Sequence, residues 1–328
     1  MKFLVCGIGS IGQRHYKNIL SLGHEAAVFR STREQRPFVK KFIDEQAAAG
    51  NTVQMYYDLS EALATYKPDA VFVTNPNHLH MEPAIAAVTA GCHVFIEKPV
   101  SHTLDNLDTL QRVAEKKNLK VMVGYNLRFH PLLQTMKKMF DDGDIGAALQ
   151  CRVEVGENIE DWHPWENYLE TYAPHRKSGG GVVLCFSHDI DYLYWFLGKP
   201  QRIQSWAGHV SSLGGDAEDM CEAIWDFGNN KVASVHLDYF QRPPVRTFKI
   251  IGEKGTLTWN YHEQTLSIDM QDKNRRVLKT PETFERNTMF VDEVTSFIKA
   301  IEQDTATVIP LEQGIDVLKI SLTMNGQL

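Results

Sequence analysis

The sequence lacks several features that would assign a protein to a distinctive class. No apolar run approaches the ~18 residues that a membrane span needs. The five cysteines include neither a CxxC pair nor a histidine cluster at zinc spacing. Acidic residues outnumber basic ones by 41 to 34, so the net charge of −7 gives no support to nucleic-acid binding. We therefore predict a cytoplasmic protein with reduced thiols, no metal site, no membrane span and no nucleic-acid partner.

What the first 124 residues do contain is an alternation of strand and helix patterns. Short apolar runs end in glycine or in polar residues, and segments with helical spacing separate them. Strands are predicted at residues 2–6, 25–29, 52–57, 69–74, 93–97 and 120–125. Repeated strand–helix units indicate a parallel sheet covered by helices on both faces. Ligands bind such sheets at the carboxyl ends of the strands.

The pattern changes near residue 125, after which strands dominate. They are predicted at residues 149–157, 201–210, 219–227, 231–240, 246–252, 255–260 and 264–270, with helices near 187–197, 286–303 and 311–324. Closely spaced strands with short turns favour a mostly antiparallel sheet. A chain of 328 residues also favours two domains. We predict an α/β protein with a dinucleotide-binding Rossmann domain at 1–124 and an α+β domain at 125–328.

The glycine-rich stretch "GIGSIG" (7–12) follows the first strand directly and opens a helix. In this context Gly7 permits a tight turn, Gly9 lets a pyrophosphate approach the backbone, and Gly12 lets helix and strand pack. Ser10 and Ile11 lie in the same turn, where the helix N-terminus offers free N–H groups. The alternative is a purely structural strand–helix turn.

The end of the second strand indicates which dinucleotide is bound. A chain that prefers NAD places Asp or Glu there, ~20 residues after the glycines. This chain has "VFRSTR" instead, which supplies Arg30, Ser31 and Arg33. Two guanidinium groups suit a ribose 2′-phosphate. We predict NADP as the cofactor, with NAD as the alternative and an exposed basic loop as the structural explanation.

Four segments resemble the Gfo/Idh/MocA oxidoreductases, the family of glucose–fructose oxidoreductase and inositol dehydrogenase. They are "GIGSIGQRH" (7–15), "TNPNHLHMEPAIAAVTAGCHVFIEKP" (74–99), "VGYNLRFHP" (123–131) and "GGGVVLCFSHDIDYLYWFLG" (179–198). The resemblance runs over nearly the whole chain and implies a large open sheet in the second domain. That sheet often makes the subunit interface, which implies a homodimer or homotetramer. The implied activity is hydride transfer between nicotinamide and a hydroxyl or keto carbon of a sugar, amino sugar, nucleotide sugar or cyclitol.

The resemblance also implies two catalytic residues. The lysine of the EKP motif corresponds to Lys98, with a cis bond before Pro99, and it stabilises charge on the reacting oxygen. The histidine of the fourth segment corresponds to His188, a general base for the hydroxyl proton. The family commonly has an aspartate a few residues before this histidine, and this chain has Leu184 and Cys185 there.

That departure leaves the third catalytic role open. Asp189 or Asp191 is a candidate replacement, although on a helix neither must face the same side as the histidine. Cys185 is either a thiol in the polar site or a small buried hydrophobic residue.

Further contacts are predicted from position in the chain. At the strand ends, the candidate cofactor contacts are Thr74, Asn75, Pro76, His78, Glu97, Lys98 and Asn126. His78 has a helix-capping role as its alternative. The segment 159–178 is dense in Trp, Tyr, His and Arg, residues that stack on sugars or bind anions, and its alternative is an oligomer contact. The candidate substrate contacts are Arg128, Trp162, His163, Trp165, Tyr168, Tyr172, Arg176 and Asp189.

Two other functions compete with a dehydrogenase or reductase. Some relatives retain a tightly bound dinucleotide and cleave glycosides by transient oxidation, so a glycoside hydrolase is one alternative. A dinucleotide sensor without catalytic activity is the other. Retention of the lysine and the histidine argues against the sensor, whereas the missing aspartate favours it.

Overall fold

The computed structural model describes residues 1–34, 36–162 and 166–328, which form two compact units. The first unit comprises Met1–Tyr125 and Phe290–Ile315, and the second comprises Asn126–Met289 and Asp316–Leu328. The predicted domains, 1–124 and 125–328, are continuous stretches, whereas each unit combines two stretches of chain. The functions predicted for these domains stay predictions.

The first unit is built on a six-stranded parallel sheet in the order β3-β2-β1-β4-β5-β6. Its strands are β1 (Lys2–Cys6), β2 (Glu25–Phe29), β3 (Gln54–Tyr56), β4 (Ala70–Val73), β5 (His93–Glu97) and β6 (Val121–Gly124). Its first five helices are α1 (Ser10–Ser21), α2 (Pro37–Ala48), α3 (Leu59–Tyr66), α4 (Met81–Ala90) and α5 (Leu107–Lys116). The strand order is that of a Rossmann fold. The central strands are buried over nearly their whole length, which explains their continuous apolar sequences.

The returning segment Phe290–Ile315 completes the core of this unit. The ring of Phe297 packs edge-on against Phe72 and Phe95, which stack on each other with centroids 4.6 Å apart. The N–H of Val123 in β6 donates to the carbonyl of Ile309 at 3.0 Å. The helices at 286–303 and 311–324 were predicted from the sequence, but their contacts with this core were not.

The second unit contains an eight-stranded sheet in the order β14-β13-β12-β11-β7-β10-β9-β8. Its strands are β7 (Ala148–Gly156), β8 (Arg202–Gly208), β9 (Met220–Asp226), β10 (Val232–Asp238), β11 (Val245–Gly252), β12 (Gly255–Asn260), β13 (Thr265–Met270) and β14 (Arg275–Lys279). Only the β7–β10 pair is parallel among these strands. The predicted α/β fold with a mostly antiparallel second sheet is confirmed. One strand, β14, was not predicted from the sequence; it is a short, largely exposed edge strand rich in basic residues, as edge strands often are.

Three helices of the second unit pack against its eight-stranded sheet, whose other face is exposed: α6 (Pro131–Asp141), α7 (Val182–Cys185) and α8 (Ser187–Leu197). The last two helices, α9 (Arg286–Glu302) and α10 (Leu311–Met324), are each divided between the two units. In β9, the side chains of Cys221, Ala223 and Trp225 are buried, whereas those of Glu222 and Ile224 are exposed. This alternation is typical of a sheet with one covered face.

Candidate functional site

The predicted cofactor residues of the first unit follow the carboxyl ends of its strands. Gly7 follows β1, Arg30 follows β2, Thr74 follows β4, and Lys98 follows β5. Because neighbouring strands are parallel and in register, these four ends lie along one edge of the sheet. That edge is where open α/β sheets bind their ligands.

The glycine turn has two closely packed positions and one open position. Gly7 has φ +95°, and a Cβ atom there would lie 2.9 Å from the backbone nitrogen of Asn75. A Cβ atom on Gly12 would lie 2.3 Å from the carbonyl oxygen of Gly7, so neither glycine can carry a side chain. A Cβ atom on Gly9 meets no heavy atom within 4 Å. The adjoining start of α1 at Ser10 has no side-chain cap and no acidic residue in its first turn, which fits a bound pyrophosphate.

The loop after β4 is tied to this turn. The Thr74 hydroxyl donates to the carbonyl of Gly7 at 2.9 Å, and Asn75 Nδ2 donates to the carbonyl of Leu79 at 2.8 Å. Asn75 Oδ1 is buried without a hydrogen-bond partner in the described part of the chain. Pro76 precedes a 3₁₀ turn that contains the half-buried His78. The loop therefore places Asn75 directly against Gly7 of the glycine turn.

Two arginines, Arg30 and Arg33, follow β2, and their side chains lie in different environments. Arg30 is buried, and its Nη2 donates to the carbonyl of Glu34 at 2.7 Å. Its Nη1 has no hydrogen-bond partner within residues 1–34, 36–162 and 166–328. Arg33 and Ser31 are exposed, and the Arg33 guanidinium lies 4.5 Å from the ring centroid of Tyr57.

The turn after β5 carries Lys98, which is half-buried. The peptide bond between Lys98 and Pro99 is cis, as the resemblance implied. Glu97 is buried, and its Oε1 lies 2.6 Å from Nε2 of His15. His80 is also buried and bonds to the carbonyls of Asn75 and Pro99. Neither histidine is among the predicted site residues, although both lie inside the segments that carry the family resemblance.

In the second unit, His188 is half-buried near the start of α8. Two buried carboxylates of this helix, Asp189 and Asp191, each lie beside an arginine. Nη2 and Nε of Arg128 lie 2.6 and 2.8 Å from the two carboxylate oxygens of Asp191. Nε of Arg246 lies 3.2 Å from Oδ1 of Asp189. Burial raises the pKa of Asp191, and Arg128 opposes that rise.

These ion pairs bear on the replacement of the missing aspartate and on the predicted substrate contacts. Asp189 and Asp191, the candidate replacements for the missing aspartate, each face an arginine. The Arg128 side chain is only 2% exposed. The predicted substrate contacts of Arg128 and Asp189 stay predictions, and the structure assigns both side chains a partner within the second unit.

A buried carboxylate that was not predicted from the sequence, Glu218, lies beside the start of α7, the short helix before His188. Glu218 packs against Gly181, where a Cβ atom would lie 2.3 Å from its Oε1. Burial raises the pKa of Glu218, and the nearest guanidinium atom, Nη2 of Arg176, lies 3.9 Å from its Oε2. Cys185 is buried and raises the pKa of the neighbouring Tyr239, an effect secondary to the burial of that tyrosine. No local sequence signal connects Glu218 to Gly181, which lies 37 positions earlier in the chain.

The remaining predicted substrate contacts differ in their surroundings. Trp162 packs edge-on against Phe186 and Tyr239, and the Tyr168 hydroxyl accepts from the N–H of Gly214 at 2.9 Å. The other calls on this list are Tyr172 and Arg176, which are exposed, and His163 and Trp165, which lie outside the described residues. Asn126, a predicted cofactor contact, is buried at the start of the second unit. Roles for all of these residues stay predictions.

Three further features of the described residues limit the kinds of site that they can form. These residues include no group of three or more His, Cys, Asp or Glu side chains arranged to hold a metal ion. None of the helices described combines the length and apolar character required to cross a membrane. All five cysteines are buried and free.

Comparisons with known proteins agree with this architecture. A model described as "Oxidoreductase family, NAD-binding Rossmann fold" matches residues 1–125, and the GFO/IDH/MocA C-terminal domain model matches residues 133–258. The chain is 27% identical over 233 residues to 2,7-anhydro-N-acetylneuraminate hydratase of Mediterraneibacter gnavus, which covers 69% of this chain but only 60% of that relative. This chain therefore matches less than two thirds of the length of that relative.

Two further matches extend over nearly the whole chain. D-xylose 1-dehydrogenase (NADP(+)) 2 of Haloferax volcanii is 23% identical over 326 residues, which cover 97% of this chain and 94% of that one. The structure of levoglucosan dehydrogenase with NADH and levoglucosan has a TM-score of 0.86 at 20% identity, over 100% of this chain and 96% of that one. The structural match establishes the shared fold. Since both family models match in order, this protein belongs to the Gfo/Idh/MocA family of oxidoreductases.

Proposed function

We propose that this protein is an NADP-preferring dehydrogenase or reductase that transfers a hydride between the nicotinamide and a CH–OH or keto carbon. The proposed substrate is a sugar, amino sugar, nucleotide sugar or cyclitol. The observation that carries the proposal is the common sheet edge occupied by Gly9, Asn75 and Lys98 in a chain of this family. Relatives named as sugar dehydrogenases support the substrate class.

The preference for NADP rests on the region after β2. No acidic side chain ends that strand, and Arg30 has a buried Nη1 without a described hydrogen-bond partner. A 2′-phosphate would accept from this donor, with Arg33 adding positive charge from the loop. The glycine turn would hold the pyrophosphate through the N–H groups of α1.

The proposed chemistry divides between two side chains. The bound dinucleotide would supply the hydride acceptor or donor. Lys98 donates a hydrogen bond to the reacting oxygen and stabilises its developing negative charge. His188 removes the hydroxyl proton during oxidation and returns it during reduction. Asp189 and Asp191 are paired with arginines, so we do not assign either of them the role of the missing aspartate.

The segment 159–178 is proposed to contact the substrate through its aromatic and basic side chains. Tyr172 and Arg176 are exposed there. Aromatic rings stack on sugar faces, and a guanidinium pairs with phosphate or carboxylate. This part of the proposal predicts that Arg176→Ala raises KM for an acidic or nucleotide-linked sugar more than for a neutral one.

We also propose that the protein forms a homodimer or homotetramer through the exposed face of the eight-stranded sheet. Large apolar side chains on that face are unusually accessible, with Trp206 53% and Ile224 48% exposed. Light scattering after size exclusion should give a mass at least twice the chain's 37.3 kDa. Ile224→Lys should lower that mass, whereas Val308→Lys, at an exposed site in the first unit, should leave it unchanged.

The cofactor proposal is tested by titrating NADPH and NADH into the protein and following nicotinamide fluorescence. The wild type should bind NADPH more tightly, and Arg30→Ala should weaken NADPH by about 10-fold or more, since a charge-assisted hydrogen bond is lost. NADH affinity should change little. Arg112→Ala, an exposed change on α5, serves as the control. Tighter binding of NADH by the wild type would overturn the NADP preference.

The catalytic proposal is tested with a panel of sugars, cyclitols and nucleotide sugars. On an identified substrate, Lys98→Met should lower kcat by about 10²–10³-fold because an oxyanion-stabilising donor is lost. Lys116→Met, on the exposed surface of α5, should match the wild type. Unchanged turnover by Lys98→Met would refute the mechanism. Glycoside cleavage without added dinucleotide would favour the hydrolase, and binding without turnover of any substrate would favour the sensor.

A further inference from the structure

Two buried histidines contact the residues on either side of Lys98. His15 comes from α1, directly after the glycine turn, and His80 precedes α4. Their side chains bond to Glu97 and to Pro99 respectively. All five residues lie in the first unit, so these contacts need nothing from the second.

The first of these contacts fixes the carboxylate that precedes the lysine. His15 is fully buried, and its Nε2 lies 2.6 Å from Oε1 of Glu97. The other carboxylate oxygen accepts from the backbone N–H of Lys98 at 3.2 Å. Nδ1 of His15 has no hydrogen-bond partner among the described residues, and the ring packs against Phe72 and Phe95. The Nε2 proton is therefore the donor that holds Glu97, and through it the Lys98 backbone.

The second contact fixes the backbone that follows the lysine. His80 is 1% exposed, its Nε2 lies 2.7 Å from the carbonyl oxygen of Asn75, and its Nδ1 lies 3.1 Å from that of Pro99. Both partners are acceptors, so a neutral ring satisfies one carbonyl and a protonated ring satisfies both. Burial lowers the pKa of His80, while the two carbonyls and the charge of Glu97 oppose that shift. When protonated, this one side chain joins the loop after β4 to the turn after β5; when neutral, it donates to only one of the two carbonyls, and its other nitrogen lies close to the second.

We infer that His15 and His80 are positioning residues that hold the Lys98 backbone from both sides, with His80 also linking Lys98 to the Asn75 loop. The inference rests on the proposed function, in which Lys98 contacts the reacting oxygen and Asn75 the dinucleotide. A long lysine side chain is directed reproducibly only if its backbone is fixed. Displacing a catalytic group by about 1 Å can cost about 10²-fold in rate.

The two nitrogens of His80 allow its two bonds to be separated. A Gln side chain places its amide nitrogen near the position of Nε2, and an Asn side chain places its amide nitrogen near Nδ1. His80→Gln should keep the bond to Asn75 and lose that to Pro99, lowering kcat by about 10-fold or more with little change in dinucleotide Kd. His80→Asn should do the reverse and raise the dinucleotide Kd by about 2–10-fold, the value of one neutral hydrogen bond.

His15 is tested in the same way. His15→Leu removes the donor to Glu97 and should lower kcat by about 10-fold or more. His15→Gln keeps a donor near Nε2 and should recover most of that loss. The matched control is His93→Leu at the opposite end of β5, where Nδ1 accepts from the N–H of Lys120 at 2.9 Å. The control should lose stability without a change in kcat.

A readout that needs no substrate separates this inference from the proposed function. Reductive methylation with isotope-labelled formaldehyde gives each lysine an NMR signal, and the Lys98 signal is assigned by its absence in Lys98→Arg. That signal should move in His15→Leu and His80→Gln but not in His93→Leu. If no sugar-like substrate is turned over, the proposed function fails, and the Lys98 signal still decides the positioning role. An unmoved signal, or equal changes of kcat and Kd in both His80 variants, would overturn the inference.

Discussion

The two candidate catalytic side chains are held in place by different chemistry. In the first unit, the residues before and after Lys98 are hydrogen-bonded to buried imidazole rings. In the second unit, His188 lies on a helix that is fixed by a bidentate ion pair between Arg128 and Asp191, two side chains at most 2% exposed. The first arrangement sets imidazole rings against a carboxylate and a carbonyl, and the second sets a guanidinium against a carboxylate in the protein interior.

This difference predicts different consequences of mutation. Removing Arg128 leaves the almost fully buried carboxylate of Asp191 without its guanidinium partner, whereas Glu97 keeps the N–H of Lys98 as a donor when His15 is removed. The first change should therefore cost more free energy. Changes around His188 should therefore act mainly on the free energy of unfolding. Changes around Lys98 should act mainly on kcat, since β5 stays packed among apolar strands while the turn that carries Lys98 loses a contact that holds it.

The largest expected effect on stability comes from the Arg128–Asp191 pair. Arg128→Met leaves Asp191 buried and unpaired, and should lower the free energy of unfolding by about 3–5 kcal/mol in urea denaturation. Arg152→Met is the matched control, because Arg152 is 60% exposed and 3.8 Å from Glu154. The control should lose less than about 1 kcal/mol.

A double variant tests whether the unpaired charge of Asp191 causes this loss of stability. Replacing both partners, as Arg128→Met with Asp191→Leu, removes the stranded charge and should recover much of the lost stability. If Arg128→Met and Arg152→Met lose equal free energy, the ion pair is not what holds α8, and the comparison between the two units fails.

The next largest expected effect is a loss of folding stability at acidic pH, caused by His130 in the second unit. His130 is fully buried among the rings of Trp259, Tyr261 and Phe284. Burial lowers its pKa from 6.5 to about 4, although Gln264 opposes the shift. The unfolded chain takes up this proton first, so stability is complete above pH 6.5 and falls as the pH approaches 4.

The loss over that range should be on the order of 2–3 kcal/mol, since one unit of pKa corresponds to about 1.4 kcal/mol. His130→Leu should not show it, so the quantity to measure is the difference between variant and wild type in urea midpoint at pH 7 and at pH 4.5. A difference that does not change with pH would contradict the assigned environment of His130.

The smallest effect has the opposite sign. His236 lies between Glu222 and Asp238, at 2.6 and 3.0 Å from their oxygens, and these carboxylates raise its pKa to about 9, with Asp238 contributing most. The stabilisation is complete below pH 6.5 and is lost as the pH rises through about 9. We expect about 1 kcal/mol, because His236 and Glu222 are both partly exposed and solvent screens the pair.

An NMR titration of the His236 ring measures this directly. Its midpoint should lie near pH 9 in the wild type and should fall in Glu222→Gln, which removes one of the two charges. A midpoint near the ordinary histidine value would show that the carboxylates do not act on the ring in solution.

Sequence reasoning recovered the parts of the site that depend on local pattern. Gly7 and Lys98 each stand where a strand pattern ends, and parallel strands bring such ends to one edge. The groups that contact these residues in the folded protein could not be predicted from the sequence. His15 bonds to Glu97 across 82 positions of sequence, and no periodicity relates the two. The same holds for Glu218, whose place beside Gly181 depends on the packing of two distant segments.

The sequence by itself determined the alternation of elements, the order of the glycine turn and the strand ends, and the presence of Lys98 and His188 in recognisable motifs. These follow from backbone periods of two and 3.6 residues, which any single segment displays. Only the tertiary structure decided that Asp189 and Asp191 pair with Arg246 and Arg128. A side chain's partner depends on which groups the whole fold brings within a few ångströms, and burial then makes that pairing obligatory.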